Sequence, residues 1–276
     1  MILYFYIFIF IFGACIGSFL NVVVLRLKDG QKITGRSHCP KCGHILKWYE
    51  NIPLLSFFIL RGRCSKCRQK ISWQYPLVEF ATGFLFLIAF IITLQSGGQT
   101  IQQFNNLTIY SITLLLYYFI TISFLILIFT FDLKYYLIPD KISIPAIILA
   151  LFFQILLLIF KNQSLNSLIS NFLFLIFSAI IISGFFALQF ILSRGRWVGG
   201  GDIRLGFLMG IILGWPLGLL ALFLAYILGS LVCLPLLILK NKGLKSEVPF
   251  GTFLAIATLV VLFWGQKLLD WYLSFF

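Results

Sequence analysis

The sequence predicts an all-α polytopic membrane protein with one small polar module after its first helix. Three observations carry this. The chain of 276 residues is 61% hydrophobic and only 11% charged, whereas roughly a quarter of residues are charged in a soluble domain. Its mean hydropathy is +1.05, and uncharged apolar runs near the roughly 20 residues needed to cross a bilayer recur along it. Charges and turn formers, by contrast, concentrate in one block from Lys28 to about Tyr75.

Residues 1 to 25 hold no charge, and the first basic residue is Arg26. This is the first span. Without a positively charged start it does not read as a cleaved secretory signal, and it is expected to be retained. The polar block that follows is interrupted by an apolar patch, Ile52 to Leu60. Further apolar runs lie at about 77 to 95, 110 to 131, 142 to 160, 168 to 192, 203 to 214, 217 to 239 and 251 to 272. That gives about eight transmembrane helices. The sixth run is short and Gly214-Trp215-Pro216 after it signals a turn, so seven spans plus a re-entrant piece is the alternative count. The expected organisation is transmembrane helix 1 over 1–27, a cytoplasmic module over 28–76 and a transmembrane domain of about seven helices over 77–276. No internal repeat is evident. The 32 phenylalanines suit lipid-facing helices and indicate no cofactor.

The 21 basic residues against 8 acidic ones give a net charge of +13. In a soluble protein this would suggest a nucleic-acid partner. If the first span runs outside to inside, the inner segments are 26–76, 132–141, 193–204 and 240–250, and they contain 19 of the 21 basic residues. Only Lys161 and Lys267 fall on the other side. The excess is an orientation signal, so no nucleic-acid partner is expected, the N-terminus lies outside and the polar module is cytoplasmic. The uncharged polar stretches Gln95 to Asn106 and Asn162 to Asn166 suit outer connections.

Four of the six cysteines fall in the polar block as Cys39-Pro-Lys-Cys42 and Cys64-Ser-Lys-Cys67. Each C-x-x-C sets two thiolates on a tight knuckle, and two knuckles complete a tetrahedral four-sulfur Zn²⁺ site. A module with so few apolar residues needs such a staple. Disulfides do not suit the basic, reducing side of a membrane. His38 and His44 flank the first knuckle and could act as ligands, although solvated loop histidines are the simpler reading. Cys15 and Cys233 lie within apolar spans, where a thiol is a small packing group.

Acid is scarce, so its placement is informative. Solvated or ion-paired roles suffice for Asp29, Glu50, Glu247 and Asp270. Glu79, Asp132, Asp140 and Asp202 remain. Asp140 follows Pro139 and opens an apolar run, and a helix-capping role is as credible there as a chemical one. Asp132 ends an apolar run, and Asp202 follows Gly199, Gly200 and Gly201. An ionised group in such surroundings costs several kcal/mol unless paired or protonated, and Lys134 and Arg204 are the basic neighbours available for pairing. The glycines leave the backbone bare for a sharp turn or the approach of an extended peptide. Two aspartates brought together share one proton. That state suits water-mediated peptide hydrolysis, in which the carboxylate takes a proton from water and the carboxylic acid polarises the scissile carbonyl. Intramembrane acidic pairs also serve proton relays, so a proton-coupled transporter or assembly scaffold is the rival from chemistry alone.

The strings GSFLNVVVLRL (17–27), CPKCGHILKWYENIPLLSFFILRGRCSKC (39–67), ISWQYPLVEF (71–80), FDLKYYLIPD (131–140) and GGGDIRLG (199–206) together resemble the type IV prepilin peptidase family, bacterial membrane aspartyl proteases also called prepilin leader peptidase/N-methyltransferases. Gly-x-Gly-Asp alone is a weak motif; its combination with four cysteines, NIPLLS and a second aspartate loop some 70 residues upstream is specific. The resemblance implies that Asp132 and Asp202 are the catalytic pair, with Asp140, Glu79, Gly199, Gly201 and Arg204 in support. Gln74 stands where the family often has Arg, and Arg204 where it usually has Lys. The resemblance further implies a bacterial inner-membrane enzyme acting on type IV prepilins and on the pseudopilins of type II secretion. It would cut after the glycine ending a short basic leader on the cytoplasmic side, then methylate the new N-terminus with S-adenosylmethionine. Methyl transfer rests on the resemblance alone, no methyl-donor residue is identifiable, and a peptidase without methyl transfer is the alternative.

Overall fold

The computed structural model describes residues 2–96, 109–161, 164–238 and 248–275. Most of the polar stretch from Gln95 to Asn106, and Glu247, lie outside the described residues. The described chain is helical: α1 (Ile2–Lys28), α2 (Leu55–Ile59), α3 (Gln74–Ser96), α4 (Ile109–Tyr135), α5 (Asp140–Phe160), α6 (Leu165–Ser193), α7 (Gly200–Leu213), α8 (Leu217–Ile238) and α9 (Phe250–Leu273). Among the described residues the only strand-like pairings are two isolated antiparallel bridges in the polar block.

Seven of these helices, all except α2 and α7, are long and apolar enough to cross a membrane. Among the described residues the count is thus seven spans plus one short piece, the alternative reading of the same apolar runs. Helix α7 has 14 residues and so measures about 21 Å, well short of the roughly 30 Å hydrocarbon core. Gly214, at φ +67°, ends it.

The chain forms two compact units, Met1–Phe104 and Asn105–Phe276. In the first, α1 packs on α3 through Gly13 and Gly17. A Cβ on Gly13 would lie 2.8 Å from the Gly83 Cα, and one on Gly17 would lie 2.8 Å from the Glu79 Cα. Small residues at such a spacing let backbones approach where lipid supplies no hydrophobic drive. Thus the second long helix packs with the first span and the polar block, although from sequence it is grouped with the later spans. Arg26, buried at the end of α1, donates to the carbonyls of Ile33, Gly35 and Arg36. It pins the start of the polar block as well as adding to the basic count.

In the second unit α7 packs against α5, α6, α8 and α9. Its contact with α6 is again glycine-lined: a Cβ on Gly210 would fall 2.4 Å from the Ala179 Cα, and one on Gly206 would strike the Phe186 ring at 2.6 Å. A helix that stops inside an apolar bundle leaves its last carbonyls without intrahelical donors. Here the Gln154 side-chain amide, from α5, reaches the carbonyls of Ile211 (3.2 Å) and Ile212 (3.1 Å), and the Tyr117 hydroxyl, from α4, donates to Ile212 (3.1 Å). Gln154 and Tyr117 are also joined at 2.9 Å.

Candidate active site and cysteine centre

In the second unit, the C-terminal end of α4 and the N-terminal ends of α5, α7 and α9 meet. Asp132, buried on the last turn of α4, turns its Oδ2 to the start of α9 and accepts the Thr252 N–H at 2.8 Å. The Gly251 N–H donates to it as well. These are orphan donors at a helix N-terminus, where the macrodipole favours negative charge. Asp202, in the first turn of α7, accepts the Gly199 N–H on its Oδ2 at 3.0 Å. The two carboxylates interact electrostatically. The connection is steric too: Ile138 fills the space between the two helix starts. A Cβ on Gly201 would lie 2.8 Å from the Ile138 Cβ, and one on Gly251 would lie 2.8 Å from the Ile138 Cδ1 and 2.9 Å from the Asp132 Oδ2.

The glycines before Asp202 have separate reasons. Gly201 is required by Ile138, Gly200 has open space where a side chain would stand, and a Cβ on Gly199 would meet Asp202 at 3.6 Å. The open space beside Gly200 leaves room at the acidic end of α7.

Pro139, not Asp140, occupies the N-cap position of α5, and Asp140 stands in its first turn. Asp140 pairs with Arg204 of α7, so Arg204 bridges helix starts rather than neutralising Asp202. Lys134 lies over the Tyr135 ring at 5.4 Å. Among the described residues neither Asp132 nor Asp202 has a basic partner. Glu79 belongs to the first unit: its Oε2 accepts the Leu54 N–H at 2.7 Å, and the Ser18 hydroxyl donates to it. Gln74 donates to the Asn21 amide oxygen at 3.4 Å, a neutral contact. Sequence reasoning missed Ile138, Gly251 and Thr252; the run Pro249-Phe250-Gly251-Thr252, a proline and a glycine at the mouth of an apolar helix, was the available signal.

The polar block is built from two matching knuckles. Cys39 N–H donates to the His44 carbonyl and Gly43 N–H to the Cys39 carbonyl, each at 2.9 Å; Cys64 N–H donates to Gln69 at 2.9 Å and Arg68 N–H to Cys64 at 3.0 Å. Bridges His38 to Ile45 and Arg63 to Lys70 close the two loops. The four sulfurs all lie within 4.8 Å of one another, with Cys39 and Cys67 3.9 Å apart and Cys42 and Cys64 4.0 Å apart. Tetrahedral Zn–S bonds of about 2.3 Å place sulfurs about 3.8 Å apart, so the cluster has the dimensions to hold a metal ion. The Cys67 and Lys66 amides pull the Cys64 thiol down to about 6, while for Cys67 the Gln69 amide is outweighed by burial and the three other sulfurs, which push it up to about 11. Neither histidine joins the cluster. His44 lies 3.2 Å from Glu50, which is buried and also accepts the Lys47 N–H at 2.8 Å. That amide first, then hydrogen bonds from Ser65 and His44, hold the Glu50 carboxyl below the ordinary carboxylate range despite burial. Glu50 thereby ties the first knuckle, through His44, to the second, through Ser65.

Fold and site together define a multi-pass membrane protein that carries two carboxylates at one end of a helical bundle and a four-cysteine module able to hold a metal. Residues 11–93 match the Bacterial Peptidase A24 N-terminal domain, and residues 119–234 match the Type IV leader peptidase family. Proteins named prepilin leader peptidase/N-methyltransferase are similar along nearly the whole chain. That of Aeromonas salmonicida (strain A449) is 30% identical over 96% of this chain and 93% of the relative. That of Aeromonas hydrophila is 31% identical over 97% and 93%, and that of Myxococcus xanthus (strain DK1622) is 34% identical over 88% and 67%. The chain belongs to the prepilin leader peptidase/N-methyltransferase family, and with its seven long apolar helices it is a multi-pass inner-membrane protein. No solved structure matches it significantly.

Proposed function

We propose that the chain is a membrane aspartyl endopeptidase that removes the leader of type IV prepilins and pseudopilins and then N-methylates the new N-terminus, with Asp132 and Asp202 as the catalytic pair. The observation that carries this is the anchoring of both carboxylates at one end of the second unit: Asp132 on the α9 amides, Asp202 on the Gly199 amide, with Ile138 between. The Thr252 and Gly199 amides each bond an Oδ2 and fix the two carboxylates in orientation. One carboxylate takes a proton from the attacking water, while the other, protonated, donates to the scissile carbonyl. The fixed anchors supply orientation, and the dipoles of α7 and α9 lie ready for negative charge as it develops. Gly200 gives an extended leader junction room to approach. Asp140 and Arg204 brace the starts of α5 and α7.

The topology proposed is N-terminus outside, cysteine module and aspartates on the cytoplasmic side, following the 19 inner basic residues. Cys39, Cys42, Cys64 and Cys67 hold structural Zn²⁺, in keeping with their C-x-x-C spacing and with sulfurs all within 4.8 Å of one another. S-adenosylmethionine would supply the methyl group.

The test is incubation of the purified protein with a prepilin in detergent, comparing wild type with Asp132→Asn and Asp202→Asn. Each substitution should abolish cleavage while leaving thermal stability near wild type; cleavage persisting in either removes that residue from the pair. Transfer of a labelled methyl group to the cleaved product checks the second activity, and intact cleavage without transfer identifies a peptidase alone.

A further inference from the structure

The apolar patch Ile52 to Leu60 inside the basic block has no part in the cysteine cluster or the aspartate pair. Its path is set by one contact with α3 and one with the residue just before it. The Leu54 N–H is bonded to Glu79, five residues past the start of α3 and so about 7.5 Å along it. The next residues turn back: Leu55 N–H closes a tight turn on the Pro53 carbonyl at 2.6 Å, with Leu54 at φ +62° and ψ −55°. By Phe57 the chain has returned to Trp73, just before α3, with ring centroids 4.8 Å apart. The patch therefore dips alongside the first turns of a helix long and apolar enough to span the membrane.

Of this segment, Phe57 is buried beneath, while Leu55, Phe58 and Ile59 are 59%, 63% and 73% exposed. Three large apolar side chains facing outward beside the end of a membrane span match an interfacial element. Trp73, 63% exposed at the same level, is the residue type that collects at the headgroup boundary. Immediately after the patch come Arg61, Arg63, Lys66, Arg68 and Lys70, with no acidic residue between 61 and 70. Basic side chains next to an inserted apolar edge are drawn to anionic headgroups.

We propose that Leu55, Phe58 and Ile59 insert into the bilayer interface, with the basic run from Arg61 to Lys70 on anionic lipid headgroups, so that the cysteine module lies on the membrane surface. The patch sits on the span's own interfacial end, so the bilayer is the partner already at hand. Insertion would hold the strained turn at Leu54 and the knuckles at a fixed height relative to α1 and α3.

The experiment places the photo-crosslinking residue p-benzoylphenylalanine at 58, and separately at 59, in the full chain reconstituted in nanodiscs of phosphatidylethanolamine and phosphatidylglycerol. Position 41, exposed in the first knuckle, is the control. Irradiation followed by mass spectrometry should give lipid adducts at 58 and 59 several-fold above those at 41. Replacing phosphatidylglycerol with phosphatidylcholine should lower them several-fold. Adducts at 58 and 59 no higher than at 41 would overturn the insertion. Adducts predominantly to another protein chain would show a protein partner instead and would also overturn it. Undiminished adducts without anionic lipid would overturn the electrostatic part. The two positions serve as independent reporters, and Phe58 is replaced by a residue of like shape.

Discussion

Gly251→Ala tests the geometry of the acidic end more sharply than removal of a carboxylate, because it leaves every ionisable group in place. The added methyl would sit 2.8 Å from the Ile138 Cδ1, 2.9 Å from the Asp132 Oδ2 and 3.2 Å from the Asp132 Cγ. None of these distances is a normal contact, so the carboxylate or α9 must shift by several tenths of an ångström. Overpacking of this kind costs about 1–3 kcal/mol. The shift also strains the 2.8 Å bond from the Thr252 N–H, a charge-assisted bond whose loss costs about 1.5–3 kcal/mol. Misplacement of a reacting group by about 1 Å can cost a hundredfold in rate. The expected outcome is a tenfold to hundredfold fall in kcat/KM for leader cleavage, with a modest fall in thermal midpoint. Ile138→Val deletes the Cδ1 that the methyl strikes, so the double variant Gly251→Ala, Ile138→Val should recover part of both losses. Cleavage by Gly251→Ala at the wild-type rate, or absence of any recovery in the double variant, would refute the proposed coupling of Ile138, α9 and Asp132.

Three further predictions concern other parts of the molecule. Cys64→Ser should lose the bound zinc found by metal analysis of the wild-type protein; unchanged zinc content would refute the quartet. Gln154→Leu leaves the Ile211 carbonyl uncapped and should destabilise the protein by about 1–3 kcal/mol, read as a lower thermal midpoint in detergent, whereas wild-type stability would mean that the α7 end is satisfied another way. Arg68, at φ +58°, stands where the first knuckle has Gly43 at φ +67°. Arg68→Gly should therefore relieve left-handed strain and stabilise the module by up to about 1 kcal/mol, after allowing for the added freedom of glycine in the unfolded chain. Slower loss of metal to a chelator is the readout, and faster loss would contradict it.

What could be read from sequence was what depends on local pattern. Apolar runs of span length became the seven long helices, and the repeated C-x-x-C spacing became one sulfur cluster because each knuckle closes on its own backbone. Asp132 and Asp202 were distinguished by their apolar surroundings. The features that escaped depend on contacts between distant residues. Asp132 bonds Thr252 across 120 positions, and nothing near either residue announces the other. Asp140 reads as a cap from Pro139 and the following helix, yet its side chain is taken by Arg204, a partner available only once α5 and α7 are packed. His44 and Glu50 looked solvated because the block is rich in charge. Burial between two knuckles makes Glu50 a structural acceptor instead. The shortness of α7 was visible as a short run, but what permits it to stop, the polar groups of Tyr117 and Gln154, lies on two other helices.

The capping of α7 has a consequence for biogenesis. A helix ending within apolar surroundings is costly until its final carbonyls find donors, and these donors are Tyr117 on α4 and Gln154 on α5. Both precede α7 in the chain, and synthesis delivers the N-terminal part first. When α7 emerges, its receptors are already made, and the 14-residue helix can be accepted into a prepared socket rather than having to insert alone. Placed before α4 and α5, the same residues would have no such partners waiting. The order of helices along the chain is thus part of what allows a piece too short to span the membrane to carry an aspartate to its edge.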